Sequence, residues 1–306
     1  MKVFALAPNE DWICDRFVDE FNAHNEVAHR PDDADLVWLL ADWCWQRVNT
    51  GILTKKKVIA TVHHLVPGKF KENDLRMFMY RDQFVDAYHV PCNNTKKQIQ
   101  EFTDKPIYSF PFWVNQGIWN RVETKEELRE KYGISKDAFL IGSFQRDTEG
   151  HDLKSPKLEK GPDIFCDFVE TRARAMDNVE VLLGSWRRQY VMGRLDAAGI
   201  KYHFHKLPPL ETINEFYSML DLYFVGSRHE GGPQAVFECA ATKTPILSSN
   251  AGYAPELLHD DSLVEKSSSI EAAMSDKVLD YNFDKVSKFF MPNGFENFRK
   301  MFEEVL

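Results

Sequence analysis

The sequence predicts an α/β protein built from two Rossmann-like, doubly wound halves. Short apolar runs alternate with amphipathic stretches along all 306 residues, the pattern of parallel sheets covered by helices on both faces. Eleven such runs are present, too many for one compact sheet of this kind. A stretch mixing Pro, Gly and Asn, "FPFWVNQGIWNRVETKEEL", separates the fifth run from the sixth. The break therefore falls near residues 113–125, which gives a first half of 1–120 and a second of 121–289.

The first half holds "KVFALA" (2–7), "LVWLL" (36–40), "KVIATV" (57–62), "AYHVP" (87–91) and "PIYSF" (106–110). The second holds "AFLIGSF" (138–144), "VEVLLG" (179–184), "KYHFH" (201–205), "LDLYFVGS" (220–227), "PILSS" (245–249) and "DSLVE" (261–265). Helical segments such as "NTKKQIQEF", "KEELREKYG" and "LETINEFYSML" lie between them. "TKEE" at Thr124 reads as a capping box that opens a fresh helix, and Asn93 and Asn94 read as a helix cap. Pro292 and Gly294 interrupt a helical pattern from Phe283 to Leu306, so a helix over about 290–306 is expected to cross back onto the first half. The polar segment "DTEGHDLKSPKLEKGP" (147–162) is longer than the usual connection, a feature common in functional loops.

Composition narrows the function classes. Hydrophobic residues make up 43% and charged residues 28%, as in soluble globular proteins. A net charge of −9 argues against a nucleic-acid binder, which carries a basic face. Residues 1–120 are nearer neutrality than the remainder, which leaves membrane association open without indicating it. The five cysteines are odd in number, widely spaced and free of CxxC pairs, which favours free thiols in a reducing compartment over disulfides or zinc. The apolar run at the N-terminus is too short for a signal segment and no run reaches a membrane span, so the cytoplasm is expected.

The segment richest in chemistry is "SRHEGGPQAVFECAATKTPI", Ser227 to Ile246. It reads as strand end, turn and helix, with Pro233 at the first helical position, where a missing N–H costs nothing. In an open parallel sheet such a turn lies at the carboxyl end of a strand, where ligands bind. Gly231 and Gly232 allow close approach of the backbone, and the N–H groups of Gln234 and Ala235, with the helix dipole, attract a phosphate. Glu230 lies in the turn and Glu238 about five residues into the helix. Two carboxylates so placed suit the hydroxyls of a sugar and a ribose diol on either side of a pyrophosphate. An acid near a helix N-terminus is also favoured by the dipole alone, and on the residues themselves both readings stand.

The longer stretch "SRHEGGPQAVFECAATKTPILSSNAGYAPELL" closely resembles the donor-site signature of retaining glycosyltransferases of family 4, which have the GT-B fold. The matching positions are Ser227, Glu230, Gly231, Pro233, Glu238, Ala240 or Ala241, Pro245, Gly252 and Glu256. Cys239 replaces the usual Ala, and Lys243 with Thr244 stands where a Gly commonly precedes the Pro, so that helix end is expected to close differently. "LIGSFQRDTEGHDLKSPKLEKGPDIF" resembles the family's phosphate-binding segment with an insertion. Arg146 and Lys160 are its matches, followed by Gly161 and Asp163, with Lys154 and Lys157 as rivals for the lysine. "VIATVHHLVPG" resembles the strand that carries a histidine facing the donor sugar; His63 is the match. The first 55 residues match little, and "APNEDWICDR" lacks the glycine-rich turn the family places after its first strand. Trp12, Trp43 and Trp45 are candidates for stacking on a sugar, or for core or interface packing.

The resemblance implies a GT-B enzyme with two domains facing a central cleft, moving a hexose from a nucleoside-diphosphate sugar such as UDP- or GDP-hexose to a hydroxyl of a glycan, lipid or small-molecule acceptor. It implies retention of anomeric configuration, with the leaving phosphate helping to take the acceptor's proton. Glu230 orients the donor sugar, Glu238 holds the ribose diol, Arg146 and Lys160 neutralise the pyrophosphate, and His63 lies near the anomeric centre. No metal or organic cofactor is expected, since the two cations stabilise the departing diphosphate. A nucleotide-sugar epimerase, a sugar phosphorylase, which needs phosphate and often pyridoxal phosphate, and a non-catalytic sugar-nucleotide or glycan-binding protein of the same fold are the alternatives.

Overall fold

A computed structural model describes all 306 residues. The chain forms two compact units: Met1–Trp113 together with Met291–Leu306, and Val114–Phe290.

The first unit has a five-stranded parallel sheet of β1 (Val3–Ala5), β2 (Leu36–Leu39), β3 (Lys57–Thr61), β4 (Ala87–Val90) and β5 (Ile107–Ser109), in chain order. Its helices are α1 (Ile13–His24), α2 (Thr50–Leu53), α3 (Glu72–Asp82) and α4 (Asn93–Ile99). Strand β2 is buried along its whole length, as a central parallel strand must be. One core gathers Phe17 and Phe21 of α1, Trp38, Phe112 and Trp113, and the other holds Val37, Val58, Phe78 and Tyr88. Inside the sheet a polar chain is fully paired. Trp38 Nε1 donates to Thr61 Oγ1 at 2.8 Å, Thr61 Oγ1 lies 3.1 Å from His89 Nδ1, and His89 Nε2 lies 2.9 Å from the Phe110 carbonyl. The carbonyl can only accept, so Nε2 carries the proton and Nδ1 accepts from the threonine. Burial pushes the His89 pKa down to about 3.

The second unit contains β6 (Phe139–Ser143), β7 (Val179–Leu183), β8 (Tyr202–Phe204), β9 (Leu222–Val225) and β10 (Ile246–Ser248), all parallel, in the order β10-β9-β6-β7-β8. Around it lie α5 (Lys125–Lys131), α6 (Pro162–Ala175), α7 (Gln189–Ala198), α8 (Leu210–Met219), α9 (Gln234–Thr242), α10 (Ala254–Leu257), α11 (Ile270–Ala273) and α12 (Asp276–Ser287). The chain then returns to the first unit as α13 (Glu296–Val305), whose Phe298, Met301 and Phe302 complete the core around Phe21 and Trp38.

Ten of the eleven apolar runs are strands. The run at 261–265 is a 3-10 turn, Asp260–Ser262, with a single bridge from Leu263 to Ser248. Only Leu263 and Val264 are apolar there, and Lys266 N and Ser267 N both bond back to the Leu263 carbonyl, which curls the chain. Thr124 and Glu127 form the expected capping box. Asn93 is the first helical residue rather than a cap; Cys92 Sγ caps α4 by accepting from Thr95 N at 3.4 Å. Pro233 is likewise the cap of α9, one position earlier than read from the sequence. Lys243 closes α9 at φ +52°, so a lysine takes the left-handed conformation usually given to glycine. All five cysteines are free and buried. No helix is long and apolar enough to cross a membrane.

Candidate active site

In the second sheet the chain runs from β6 outward through β7 to β8, then reverses to place β9 on the other side of β6. The loops after β6 and β9 therefore flank a topological switch point, where open α/β sheets bind ligands. These loops are residues 144–161 and 226–233, which carry the Arg146–Lys160 segment and the Ser227–Pro233 turn.

The two loops are joined backbone to backbone and side chain to side chain. Gly161 adopts φ +60° immediately before Pro162 opens α6, and the carbonyl of Gly226 occupies the space a side chain would need. The N–H groups of Arg228 and His229 donate to the Glu159 carbonyl at 2.8 and 3.2 Å. Arg228 grips both oxygens of Asp163 at 2.8 and 2.6 Å, and this holds the Asp163 carboxyl below its ordinary range. Gln145 Nε2 donates to the Lys160 carbonyl at 2.8 Å.

Lys160 Nζ reaches across to Glu230 Oε1 at 2.5 Å, and Ser227 Oγ donates to the same oxygen at 3.1 Å. Glu230 is only 8% exposed, and a charge so buried requires a partner. Arg146 is half-buried and forms no ion pair. Lys157, paired with Glu159 at 3.4 Å, has its pKa lowered by burial and then by the nearby charges of Arg146 and Lys160. Arg146, Lys157 and Lys160 thus form one cationic cluster, while Lys154 stands exposed on the loop.

The turn after β9 is held from beneath by a second glycine contact. A Cβ on Gly232 would meet the Tyr253 ring at 2.3 Å, and one on Gly252 (φ +57°) would meet the Gly231 carbonyl at 2.4 Å. Tyr253 Oη donates to the Pro233 carbonyl at 3.1 Å. Helix α9 begins at Gln234, so Gln234 and Ala235 belong to the first turn, whose amides have no partner four residues back. Glu238, half-buried in the same helix, accepts from Tyr217 Oη at 2.7 Å. Burial and then the Glu238 charge push the Tyr217 pKa up, so the phenol remains a donor.

Several supporting residues escaped the sequence reading. Arg188 is 1% exposed; its Nε lies 3.2 Å from Asp147 Oδ2, and its terminal nitrogens reach Ser143 Oγ at 3.1 Å and the Gln145 carbonyl. Burial lowers the Arg188 pKa and raises that of Asp147 to about 6. This buried pair fixes the backbone on either side of Arg146. A charged "WRRQY" segment reads as solvated surface, and nothing in its spacing marks one arginine as interior.

In the first unit, His63 follows β3. Its Nε2 lies 2.9 Å from the Leu40 carbonyl and its ring stacks on Phe112, with Trp43 beside it. Nε2 therefore carries the proton, Nδ1 is left as an acceptor, and burial lowers the pKa, so the ring is neutral near pH 7. The glycine-free turn after β1 is built another way. Asn9 and Asp11 take φ of +53° and +54°, and the Asp15 carboxylate accepts from the N–H groups of Asn9, Glu10 and Trp12 at 2.8, 2.8 and 3.2 Å. Of the three tryptophans, Trp12 and Trp43 are exposed at 60% and 44%, whereas Trp45 is buried against Tyr80 and Phe84 and is core.

Among solved structures, sucrose-phosphate synthase from Thermosynechococcus elongatus superposes with a TM-score of 0.69 at 14% identity, over 95% of this chain and 78% of that one. HepE of Anabaena, in complex with UDP-glucose, gives 0.72 at 14% identity over 99% and 91%. A glycosyltransferase from Rickettsia africae gives 0.64 at 15% identity over 89% and 77%. At these identities the likeness shows the fold, which is GT-B. No curated protein matches the chain. The family model for glycosyl transferases group 1 matches residues 124–281, which span the switch point, the cationic cluster and both glutamates, and the chain belongs to that family.

Proposed function

We propose that the protein is a retaining, metal-independent glycosyltransferase that moves a hexose from a nucleoside-diphosphate sugar to a hydroxyl acceptor. The observation that carries this reading is the Lys160–Glu230 contact at the switch point, beside the unpaired Arg146. The diphosphate takes Arg146 and Lys160, with Lys157 adding to the local field, and the first turn of α9 supplies amides from Gln234 and Ala235. Glu230, released from Lys160, accepts from hydroxyls of the donor sugar. Glu238, oriented by Tyr217, accepts from the ribose diol. Gly231 and Gly232 shape the turn, Gly232 by making room for the Tyr253 ring and Gly231 by packing its carbonyl against Gly252.

In this reaction the bond between the anomeric carbon and the diphosphate breaks as the acceptor oxygen attacks from the same face. The departing phosphate oxygen takes the acceptor's proton, and fixed cations stabilise the charge it gains. By the resemblance of its strand, His63, neutral and with Nδ1 as an acceptor, takes the role of the histidine that contacts the reacting sugar. The complex of HepE with UDP-glucose favours UDP-glucose as the first donor to try.

The test is a screen of UDP- and GDP-hexoses in EDTA, read by nucleotide release, with the product's anomeric configuration read by NMR. Donor consumption that vanishes in Glu230→Ala and yields a product of the donor's configuration is expected. A product epimerised without an acceptor, inversion of configuration, or full activity in Glu230→Ala would overturn the proposal.

A further inference from the structure

The carboxyl edge of the first sheet carries two indoles that the donor chemistry does not use. Trp12 lies in the turn after β1, and Trp43 in the 3-10 segment Asp42–Arg47 after β2, the strand paired with β1. His63 follows β3, the next strand in the sheet. Trp12 is 60% exposed and Trp43 44%. Large apolar rings left in water at one end of a sheet mark a surface that meets something else.

The backbone under both rings is fixed. Asn9 and Asp11 hold positive φ, and Asp15 Oδ2 accepts from Trp12 N at 3.2 Å. Such backbone persists only where its surroundings over-determine it, and it concentrates at functional sites. Beside Trp43, Asp42 pairs with Arg81, which is 6% exposed and lies over the rings of Phe78 and Tyr88. The Trp43 ring is 5.6 Å from that of His63. Arg47 Nη1 ties the two loops together by donating to the Pro8 carbonyl at 2.6 Å. A platform so held loses little freedom when a ligand settles on it.

The field at this edge is acidic. Glu10 and Asp11 are exposed next to Trp12. Cys14 Sγ lies 3.8 Å from His63 Nε2, and burial, then the charges of Asp15, Glu10 and Asp42, push its thiol up to about 12. Asp15 is taken up by backbone N–H groups and Asp42 by Arg81, which leaves Glu10 and Asp11 as open acceptors. Lys69 and Lys71, on the loop after β3, are followed at once by Glu72 and Asp74.

We propose that the acceptor is a neutral saccharide, with one pyranose against Trp43 beside His63, its extension against Trp12, and hydroxyls donating to Glu10 and Asp11. An indole suits the apolar C–H face of a pyranose, and carboxylates accept strongly from its hydroxyls. The same carboxylates repel a sugar phosphate, a lipid diphosphate or an anionic bilayer. Calling this sugar the acceptor rests on the glycosyltransferase reading; its binding to this edge does not.

The test is calorimetric titration of the full chain, without donor. The ligands are methyl glycosides of glucose, galactose, mannose and N-acetylglucosamine, with maltose, cellobiose, glucose 6-phosphate and mannose 6-phosphate; UDP is the control. At least one neutral saccharide binds at millimolar concentration or below, about ten-fold or more tighter than either sugar phosphate. Trp12→Ala and Trp43→Ala each weaken it about five-fold or more, the scale of an aromatic contact, and Trp43→Phe by less than about three-fold. Melting temperature is unchanged and UDP affinity stays within about two-fold in all three. Glu10→Lys narrows the preference over sugar phosphates by about three-fold or more. The proposal is overturned if no neutral saccharide binds, if a sugar phosphate binds as well, if both alanine variants bind normally, or if the two tryptophans instead carry the chain onto phosphatidylglycerol vesicles. Saccharide binding without UDP binding would sink the donor reading and leave this site standing; UDP binding without saccharide binding does the reverse.

Discussion

A Cβ placed on Gly161 would stand 1.8 Å from the carbonyl oxygen of Gly226. Those two residues belong to the loops that follow β6 and β9, so the backbones on either side of the switch point touch with no side chain between them. Lys160 and Ser227 are the next residues along each loop, and their side chains meet on Glu230.

Gly161→Ala meets both a collision and a left-handed φ of +60°. Overpacking of this kind costs about 1–3 kcal/mol, and the φ adds roughly another 1 kcal/mol. Thermal unfolding should show this loss, with donor affinity falling further than stability because the loops are pushed apart. Gly193→Ala, where nothing lies within 4 Å of the added carbon in helix α7, should be neutral or slightly stabilising.

Lys160→Ala leaves Glu230 buried without its ammonium partner. Donor KM should rise at least ten-fold and turnover fall by about 100-fold, in line with removal of one group that stabilises developing charge. Glu230→Gln keeps the shape and the Ser227 contact but loses the charge, so donor binding should survive better than in Glu230→Ala. Steady-state kinetics with a nucleotide-release assay distinguishes the three.

Arg188→Met removes one member of a buried pair and strands Asp147. Breaking such a pair costs about 3–5 kcal/mol. The double change Arg188→Met with Asp147→Leu should recover much of that stability, measured by denaturant unfolding. Turnover should stay low in the double variant, because the Gln145 carbonyl loses its donor and Arg146 is no longer held.

His89 has a folded pKa of about 3 against 6.5 in the unfolded chain. A buried neutral imidazole resists protonation while the unfolded one accepts it, so its contribution to stability is complete above pH 6.5 and is lost as the pH falls towards 3. His89→Gln should unfold with a shallower dependence on pH than the parent across that window. Equal slopes for the two proteins in urea titrations would contradict the assignment.

Much of this arrangement is legible in the sequence because it rests on backbone periodicity and turn chemistry. The parallel strands announce themselves as apolar runs, and Gly231, Gly232 and Pro233 mark a turn. Failure came where a local pattern was shared by two structures. "DSLVE" has the composition of a short strand, yet only two of its residues are apolar, and backbone bonds to the Leu263 carbonyl close a turn instead. Trp45 and Trp43 are two residues apart and indistinguishable by type, but one faces Tyr80 and Phe84 while the other is exposed. The turn after β1 lacks the glycines of the family pattern. Asn9 and Asp11 supply the same left-handed backbone, and short polar residues tolerate it better than most. Arg188 and Asp147 carry no signal, since an interior ion pair depends on partners that only the folded chain brings together.

The return of the last helix has a consequence for how the molecule is made. Phe295, Phe298, Met301 and Phe302 finish the aromatic cluster around Phe21, Trp38 and Trp113. During translation the first sheet therefore waits, with that greasy face uncovered, until residues 295–302 have left the ribosome. The second unit has no such dependence and can assemble earlier. A nascent chain stalled before residue 291 should bind chaperones through its N-terminal half while its C-terminal half already resists protease.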